Sequence, residues 1–421
     1  MPEPITKDRD KEPSRGTKTI CISFESEEHY RRCLDETSCC REHLESVFQQ
    51  HAELFPRGFE LGFIFKGTYH SKKLEIDLRR IKLEATRDTF QIRPSFVMPY
   101  MIGYTDEIEK GLFLRQWGVP FDALAHVFGK DPAFWYRATM ATGRPSIVGS
   151  TVKSRDKLPD HLVADEKHTR LKGEKVYVPT TAAAGCILGA SAVASASALD
   201  LGKGYGDFAA EARELDPEYR PATVCTDGWE ATWNAWWGLF SSIVVLLCYL
   251  HSAIKIRDCR KSGDERLRFD ALTKVWEAFK AETKASFSQR LRRLREWASA
   301  TLPAGRMREA VYKLCGKREF FALAYDFVAP YRTSNAVDRL MNHQDRMLYA
   351  MRYFHGDLAS ARMAVRAMAM LWNFHPYGAR LRRKDERRRS PFADLNGFEY
   401  HSNWLHNFLI ASSLGGHRRA D

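Results

Sequence analysis

Three aspartates have the side chains and the positions that a site for divalent metal ions requires. Asp165 ends one predicted strand and Asp227 directly follows another, while Asp338 lies in the first turn of a predicted helix. Carboxylate oxygens are the ligands that Mg²⁺ and Mn²⁺ prefer. Two such ions about 3.5 to 4 Å apart activate a water or a 3′ hydroxyl for phosphodiester exchange. The sequence therefore predicts a two-ion site at these three acids.

Each acid also has an ordinary structural interpretation. An aspartate at the end of a strand is commonly a turn or cap residue, which is the alternative for Asp165 and Asp227. The helical turn that contains Asp338 resembles a capping box, in which the acid accepts hydrogen bonds from free backbone N–H groups. If Asp338 has only this role, Glu319 and Asp345 are the next candidates for the third ligand.

The hydrophobic pattern around these acids alternates between strands and helices, which is typical of a mixed α/β sheet. The predicted strands span residues 161–168, 174–179, 185–196, 222–225 and 242–250, and the predicted helices span residues 206–215 and 230–239. Further helical patterns cover residues 264–327, 335–354 and 359–374. We therefore expect an α/β domain at residues 155–375, interrupted by an all-α insertion at residues 260–328.

The region before this domain is expected to hold a tail (1–20), a small α+β unit (21–104) and a helical segment (105–142). The α+β unit contains a helical pattern at 27–54 and strand patterns at 59–66, 74–83 and 89–99. In the helical segment, Asp131 before Pro132 is a typical N-cap, and the spacing resembles a helix-turn-helix whose second helix carries Arg137. An ordinary helical hairpin fits equally well. Residues 143–157 have the composition of a linker.

The chain is basic, with 65 lysines and arginines against 53 acids in 421 residues, a formal net charge of +12. This balance favours a polyanionic partner, either nucleic acid or an anionic membrane surface. Two basic runs, at residues 284–295 and 376–389, account for most of the excess, and a DNA backbone is the expected partner there. The second run opens a basic C-terminal tail at residues 376–421. The candidate DNA contacts in these runs are Arg290, Arg292, Arg293, Arg382 and Arg383.

Membrane association is the less favoured interpretation of the positive charge. Residues 284–295 carry few bulky apolar anchors. The uncharged segments at residues 180–199 and 236–250 are weakly apolar or too short, and they fit buried strands better than membrane spans. No membrane partner is therefore expected.

The nine cysteines follow no regular spacing, and no signal peptide precedes them, so a reduced cytoplasmic protein is expected. Near the N-terminus, Cys33, Cys39 and Cys40 lie close in sequence to His43, which suggests a zinc module. Adjacent cysteines without a second paired half are a weak signal, however. Plain thiols are the favoured interpretation of this group.

Several short motifs, taken with the order of the three acids, resemble a known family. Thr226-Asp-Gly-Trp229 is followed by Cys248-Tyr-Leu-His251, and Asp338 comes shortly after Thr333-Ser-Asn335. The segments 342–346 (NHQDR) and 353–356 (YFHG) add to the likeness. Over about residues 155–377 the chain resembles the ribonuclease-H-like DDE/DDD transposases of bacterial insertion sequences. The C-x-x-H pair after the second acid is similar to the Mutator-like branch.

The resemblance implies a ribonuclease-H-like sheet and metal-dependent DNA cleavage and strand transfer. Asp165, Asp227 and Asp338 would then hold two Mg²⁺ or Mn²⁺ ions, although the third acid of the family is more often glutamate. The implied partners are the terminal inverted repeats of a mobile element and its target DNA. The protein would act as a homodimer or a larger synaptic assembly in the bacterial cytoplasm, associated with the nucleoid. The alternative is a transposase-like DNA-binding protein without catalytic activity.

Four kinds of side chain near the acids are expected to support the site. Lys167 and His168, next to Glu166, are expected to contact DNA phosphates or the metal ligands. Cys248 and His251 would point to opposite faces of a regular strand, so a packing role is favoured over metal binding. Trp229 belongs to a tryptophan cluster whose other members, Trp233, Trp236 and Trp237, have helical spacing and are expected in the core.

Overall fold

The computed structural model describes residues 17–101, 103–259, 265–386 and 388–417. Within these ranges the chain is a mixed α/β protein with two mixed sheets. The predicted α/β class is therefore confirmed. No helix in the described ranges combines the length and the apolarity that crossing a membrane requires.

The N-terminal unit is a four-stranded sheet covered by a helical hairpin. The strand order is β1-β4-β3-β2, with β1 parallel to β4 and the other neighbours antiparallel. Residues 1–16 of the predicted tail lie outside the described residues, whereas Ile20 is fully buried in β1, so the tail ends earlier than expected. The elements are β1 (Thr19–Ile22), α1 (Glu27–Asp35), α2 (Thr37–Gln50), β2 (Phe63–Ser71), β3 (Ile76–Leu83) and β4 (Thr89–Pro94).

Four short helices connect this unit to the second sheet: α3 (Thr105–Gln116), α4 (Phe121–Phe128), α5 (Pro132–Ala141) and α6 (Ile147–Thr151). The Asp131 side chain caps α5 by accepting a hydrogen bond from the Phe134 N–H at 2.8 Å, as predicted. The predicted linker at residues 143–157 is wrong, because it contains α6, which is buried along its whole length. A Cβ at Gly149 would lie 1.7 Å from the Gly416 carbonyl oxygen, so the small residue permits close packing.

The second sheet has five strands in the order β7-β6-β5-β8-β9. β5 pairs with β8, and β8 with β9, in parallel, whereas β6 is antiparallel to both β5 and β7. Helices α7 and α8 contact each other, and apolar residues of both helices share a hydrophobic core with strand residues of this sheet. The elements are β5 (His161–Leu171), β6 (Glu174–Ala183), β7 (Cys186–Ala190), α7 (Ala198–Leu215), β8 (Thr223–Thr226), α8 (Glu230–Leu239) and β9 (Val244–Leu247).

An all-helical block follows β9, as the sequence predicts. It has its own hydrophobic core, in which Tyr249, Val275, Phe287 and Val311 are buried. The helix after β9 begins at Tyr249, so the predicted strand 242–250 ends earlier than expected. The helices are α9 (Tyr249–Arg257), α10 (Glu265–Phe279), α11 (Lys284–Thr301), α12 (Arg306–Gly316) and α13 (Arg318–Ala322).

Two long helices return to the sheet. Helix α14 (Asn335–Ala350) contacts β5 and β6, and α15 (Leu358–Phe374) contacts β7, α3, α5 and α14. Nearly every residue of α15 from Ala364 to Phe374 is buried. Because α5 packs against α15, the predicted helix-turn-helix segment is joined to the main core rather than separate from it.

The C-terminal segment is part of the core, and its description as a tail is wrong beyond residue 389. Its helices are α16 (Ala379–Arg382), α17 (Pro391–Asn396) and α18 (Trp404–Ala411). All residues of α18 are buried. The Ser413 hydroxyl accepts a hydrogen bond from the Cys21 N–H of β1 at 3.1 Å. The aromatic and apolar side chains of this segment are therefore explained by burial against the N-terminal unit.

Candidate active site

Asp165 and Asp227 occupy matching positions on neighbouring parallel strands. Val163 of β5 pairs with Cys225 of β8, and each aspartate lies two residues beyond its member of this pair. Since side chains on a strand alternate with a period of two, each acid points to the same face as the paired residue before it. Both acids are half-buried. The register therefore places the two acids on neighbouring strands, but the predicted strand end at Asp165 is wrong, because β5 continues to Leu171.

The chain turns sharply directly after Asp227. Gly228 has φ +96°, a conformation that side chains other than glycine rarely adopt, and a Cβ there would lie 2.4 Å from the Leu247 side chain. One oxygen of Asp227 accepts the Trp229 N–H at 2.9 Å, and one oxygen of Asp165 accepts the Glu166 N–H at 2.8 Å. These bonds are local, so each carboxylate retains an oxygen for another ligand.

Asp338 lies in the first turn of α14, a helix that contacts β5 and β6. The N-cap of this helix is Ser334, which makes no side-chain capping bond. The predicted capping role of Asp338 is therefore wrong, since its side chain makes no hydrogen bond to any residue that the structure describes. Burial raises the pKa of Asp338, and the neighbouring His251 opposes this rise.

Cys248 and His251 share one side of a helix rather than opposite faces of a strand. Strand β9 ends at Leu247, and Cys248 is the N-cap of α9, so a spacing of three residues brings the two side chains together. The pair was expected on opposite faces only if the strand continued through it, and the strand ends before Cys248. Interaction with the Cys248 sulfur raises the pKa of His251 to about 9, and the charges of Asp165 and Asp227 add to the rise.

The electrostatics join these residues into one cluster. Burial raises the pKa of Asp165 to about 6, and the charges of Asp227 and Asp338 contribute, while His251 opposes the shift. His251 therefore interacts with all three acids. Its Nδ1 is buried and forms no hydrogen bond. The cluster consists of mutually repelling carboxylates around a single imidazole, an environment that favours a cation.

In the described structure the three acids do not form a site for a single ion. Among the residues that the structure describes, they do not bring one oxygen each within 4.8 Å of one another. A single Mg²⁺ with bonds of about 2.1 Å needs oxygens within roughly 4 Å of each other. Two ions about 4 Å apart accept oxygens on their outer sides that are up to about 8 Å apart. The chemistry of the three ligands, all carboxylates, agrees with hard divalent ions.

The two residues after Asp165, Glu166 and Lys167, have different surroundings. Glu166 is buried on the other side of the strand, where the Tyr205 and Thr232 hydroxyls donate to its carboxylate, so it does not face the acids' side. Burial raises the pKa of Glu166 to about 7. The Lys167 ammonium forms an ion pair with Asp345 at 2.5 Å, which holds α14 against β5. Both side chains therefore have partners within the protein, and the DNA contact of Lys167 stays a prediction.

The aromatic side chains beside the site form a small surface cluster. The exposed His168 ring contacts Tyr177, with centroids 4.9 Å apart, and lies 6.2 Å from Trp229. Trp236 is fully buried, as predicted, whereas Trp237 is 45% exposed, contrary to the prediction of a core residue. The indole N–H of Trp233 donates to the Thr226 hydroxyl at 2.9 Å and so links α8 to the end of β8.

Glu319 and Asp345, the next candidates for the third ligand, do not belong to the cluster. The Glu319 side chain is 87% exposed and is paired with Arg318. Asp345 is engaged by Lys167. Of the five candidates, only Asp165, Asp227 and Asp338 influence one another or share the His251 neighbour.

The arginines predicted to contact DNA are on the protein surface. Arg137 is exposed on α5, and the others are exposed on α11, on α16 and at Arg383, directly after α16. One Nη of Arg290 donates to the Glu277 carbonyl at 2.5 Å, and Arg292 lies 3.9 Å from Glu296. The remaining members of this exposed set are Arg293, Arg382 and Arg383.

A basic groove that the sequence did not reveal lies beside the acids. It is a cavity of about 460 Å³ between α9 and α12. Burial and the charge of Lys255 lower the pKa of Lys317, and the charge of Asp227 opposes this effect, so Lys317 lines the cavity and is near Asp227. Four basic and two acidic side chains line the cavity, namely Lys255, Arg306, Lys313 and Lys317 with Asp258 and Glu309.

Comparisons with known proteins add no family or relative to these observations. The chain matches no protein-family model, and no curated protein matches it.

Proposed function

We propose that the protein is a DDE/DDD-type transposase that cleaves DNA at the ends of a mobile element and transfers the cut strands. The observation that carries this proposal is the matched register of Asp165 and Asp227 on parallel strands, together with Asp338 on α14. Three carboxylates at one site suit metal-assisted phosphodiester chemistry. The proposed partners are the terminal inverted repeats and the target DNA.

The finer fold assignment belongs to the same proposal. A five-stranded sheet in which only the second strand in sequence, β6, runs against the others agrees with a ribonuclease-H-like domain. The all-helical block between β9 and α14 agrees with the implied insertion between the second and third acids. We assign residues 155–375 to this domain, with the insertion at 260–328.

In the proposed mechanism the acids hold two Mg²⁺ or Mn²⁺ ions. Bound ions would lower the pKa of the attacking water or 3′ hydroxyl and stabilise the leaving oxygen. The N–H groups of Glu166 and Trp229 orient Asp165 and Asp227, each by one carboxylate oxygen. The Lys317 ammonium, next to Asp227, suits a DNA phosphate that enters from the groove between α9 and α12. Synapsis of two DNA ends would require a dimer or a larger assembly.

The experiment uses full-length protein and plasmids that carry the DNA flanking its gene, with its inverted repeats. We expect nicked and joined products in Mg²⁺ or Mn²⁺, and none in chelator. Asp165→Asn should lower the cleavage rate by more than about 100-fold, because losing even a hydrogen-bond partner of a metal ligand costs about 10- to 100-fold. Glu319→Gln is the matched control, since it removes an exposed acid outside the cluster.

One observation favours a second candidate, a transposase-like protein that binds DNA without cutting it. The three acids are farther apart than a single ion allows, and His251 supplies a positive charge among them. Binding of the flanking DNA without cleavage in either metal would support this candidate and contradict the first. Full activity of Asp165→Asn would show that the acids are not the metal ligands.

A further inference from the structure

The helical hairpin of the N-terminal unit brings together two histidines and two cysteines. His29 and Cys33 are four residues apart on α1, and Cys39 and His43 are four residues apart on α2. Residues spaced by four lie on one side of a helix. A single residue separates the two helices, so these two pairs face each other across the hairpin.

The distances are those of a nearly formed metal site. One ligand atom each of His29, Cys33 and Cys39 lies within 4.8 Å of the other two. The two sulfur atoms are 3.3 Å apart. In a tetrahedral zinc site with Zn–S bonds of about 2.3 Å, two sulfurs lie about 3.8 Å apart. Small side-chain adjustments therefore suffice to admit the ion.

His43 lies outside the group of ligand atoms within 4.8 Å of one another, but it is the neighbouring residue that could complete a set of four. Its ring centroid is 4.9 Å from that of His29. Its Nε2 lies 2.9 Å from the Ser23 carbonyl oxygen, to which it donates, and this leaves Nδ1 as a free lone pair. A metal-bound histidine commonly has this arrangement, in which the second ring nitrogen donates to a carbonyl or a carboxylate.

The surroundings of His29 also suit a metal ligand. Nδ1 of His29 is buried and makes no hydrogen bond, and the nearest carboxylate oxygen, of Glu25, is 3.9 Å away. The Phe24 ring packs against both imidazoles and limits access of water. A metal ion bound beside the two thiols would give the buried His29 Nδ1 a partner.

We propose that His29, Cys33, Cys39 and His43 bind one structural Zn²⁺ ion. Two soft thiolates and two imidazoles select zinc over magnesium, and two thiolates neutralise its charge. Four protein ligands leave no open position, so the site is structural. The ion would link α1 to α2, and the hydrogen bond of His43 to the Ser23 carbonyl joins α2 to the residue after β1. The sequence signal is the symmetric spacing H-x3-C-x5-C-x3-H. The sequence pattern groups Cys40 with Cys33, Cys39 and His43, whereas the structure places His29 there instead of Cys40. The proposal does not depend on transposase activity.

The test is the zinc content of full-length protein, purified in reducing buffer without a histidine tag or a chelator. We expect one zinc per chain by mass spectrometry of the metal. After replacement by Co²⁺, the unmodified protein should show the visible bands of a tetrahedral site and a sulfur-to-cobalt charge-transfer band. This second measurement requires no substitution and so does not depend on the folding of a variant.

Matched substitutions identify the ligands. Cys33→Ser, Cys39→Ser and His43→Gln should each lower zinc affinity by more than about 100-fold, because losing even a ligand's hydrogen-bond partner costs about 10- to 100-fold. Cys40→Ala removes a neighbouring buried thiol and should retain the ion. Protein that binds neither zinc nor cobalt would overturn the proposal, as would a Cys33–Cys39 disulfide in place of bound metal. Zinc retained after removal of both Cys33 and Cys39 would also overturn it.

Discussion

The backbone N–H of Ser334 donates a hydrogen bond to the sulfur of Cys248 at 3.1 Å. This bond joins the end of β9 to the beginning of α14. His251 lies one helical turn beyond Cys248, and Asp338 lies one turn beyond Ser334. The contact therefore fixes the relative position of an imidazole and a carboxylate that come from distant parts of the sequence.

Cys248→Ala should weaken this junction. The Ser334 N–H, in a fully buried residue, would lose its acceptor, which costs about 1 to 3 kcal/mol of unfolding free energy. Cleavage should decrease more than DNA binding, because Asp338 loses its fixed position. Denaturant unfolding and the cleavage assay measure the two effects. Cys186→Ala is the control, since it removes an equally buried thiol away from the acids. Equal losses in the two variants would contradict the role of the junction.

Gly228→Ala tests the turn that directs Asp227. The alanine would adopt φ near +96° and would contact the Leu247 side chain at 2.4 Å, so a loss of about 1 to 3 kcal/mol is expected. Gly238→Ala, within α8 and in open space, should instead stabilise the protein by up to about 1 kcal/mol. Urea denaturation of both variants gives the comparison. A Gly228 variant as stable as the unmodified protein would show that the turn is not strained.

The sequence predicts much of the second sheet because long apolar runs identify buried strands whatever their neighbours are. It also predicts that Asp165 and Asp227 belong to neighbouring strands, but it does not predict that β5 continues beyond Asp165 to Leu171. It does not predict where an apolar run changes from strand to helix. The predicted placement of Cys248 within a strand is therefore wrong. Periodicity cannot distinguish a buried strand from the first turn of a buried helix over so few residues.

Other parts of the site depend on tertiary contacts that have no local signal. Lys317 belongs to the helical block, and only the packing of α12 beside α9 brings it near Asp227. Likewise, small residues such as Gly149 suggested a linker, although they are small because another backbone packs against them. Composition alone does not separate flexibility from close packing.

His343 predicts a specific sensitivity to acid. Burial lowers its pKa to about 3, and its Nε2 donates to the Met368 carbonyl. Below the ordinary histidine pKa of about 6.5 the unfolded chain binds a proton that the folded protein does not, so stability falls by about 1.4 kcal/mol per pH unit until about pH 3. His343→Gln should remove this part of the pH dependence. Urea midpoints between pH 7 and pH 4 measure it. Parallel pH profiles for the variant and the unmodified protein would contradict the assignment.

Lys317→Gln tests whether the groove between α9 and α12 binds the DNA backbone. Each phosphate contact contributes about −0.9 to the slope of the logarithm of affinity against the logarithm of salt concentration. Loss of one contact should make the slope less negative by about that amount and should weaken binding to all DNA sequences alike. Lys203→Gln is the matched control, because it removes the same charge from an exposed site paired with Asp200. Titrations with the flanking DNA at several salt concentrations give both slopes. If the two variants have the same slope, the positive charge at Lys317 acts on Asp227 rather than on DNA.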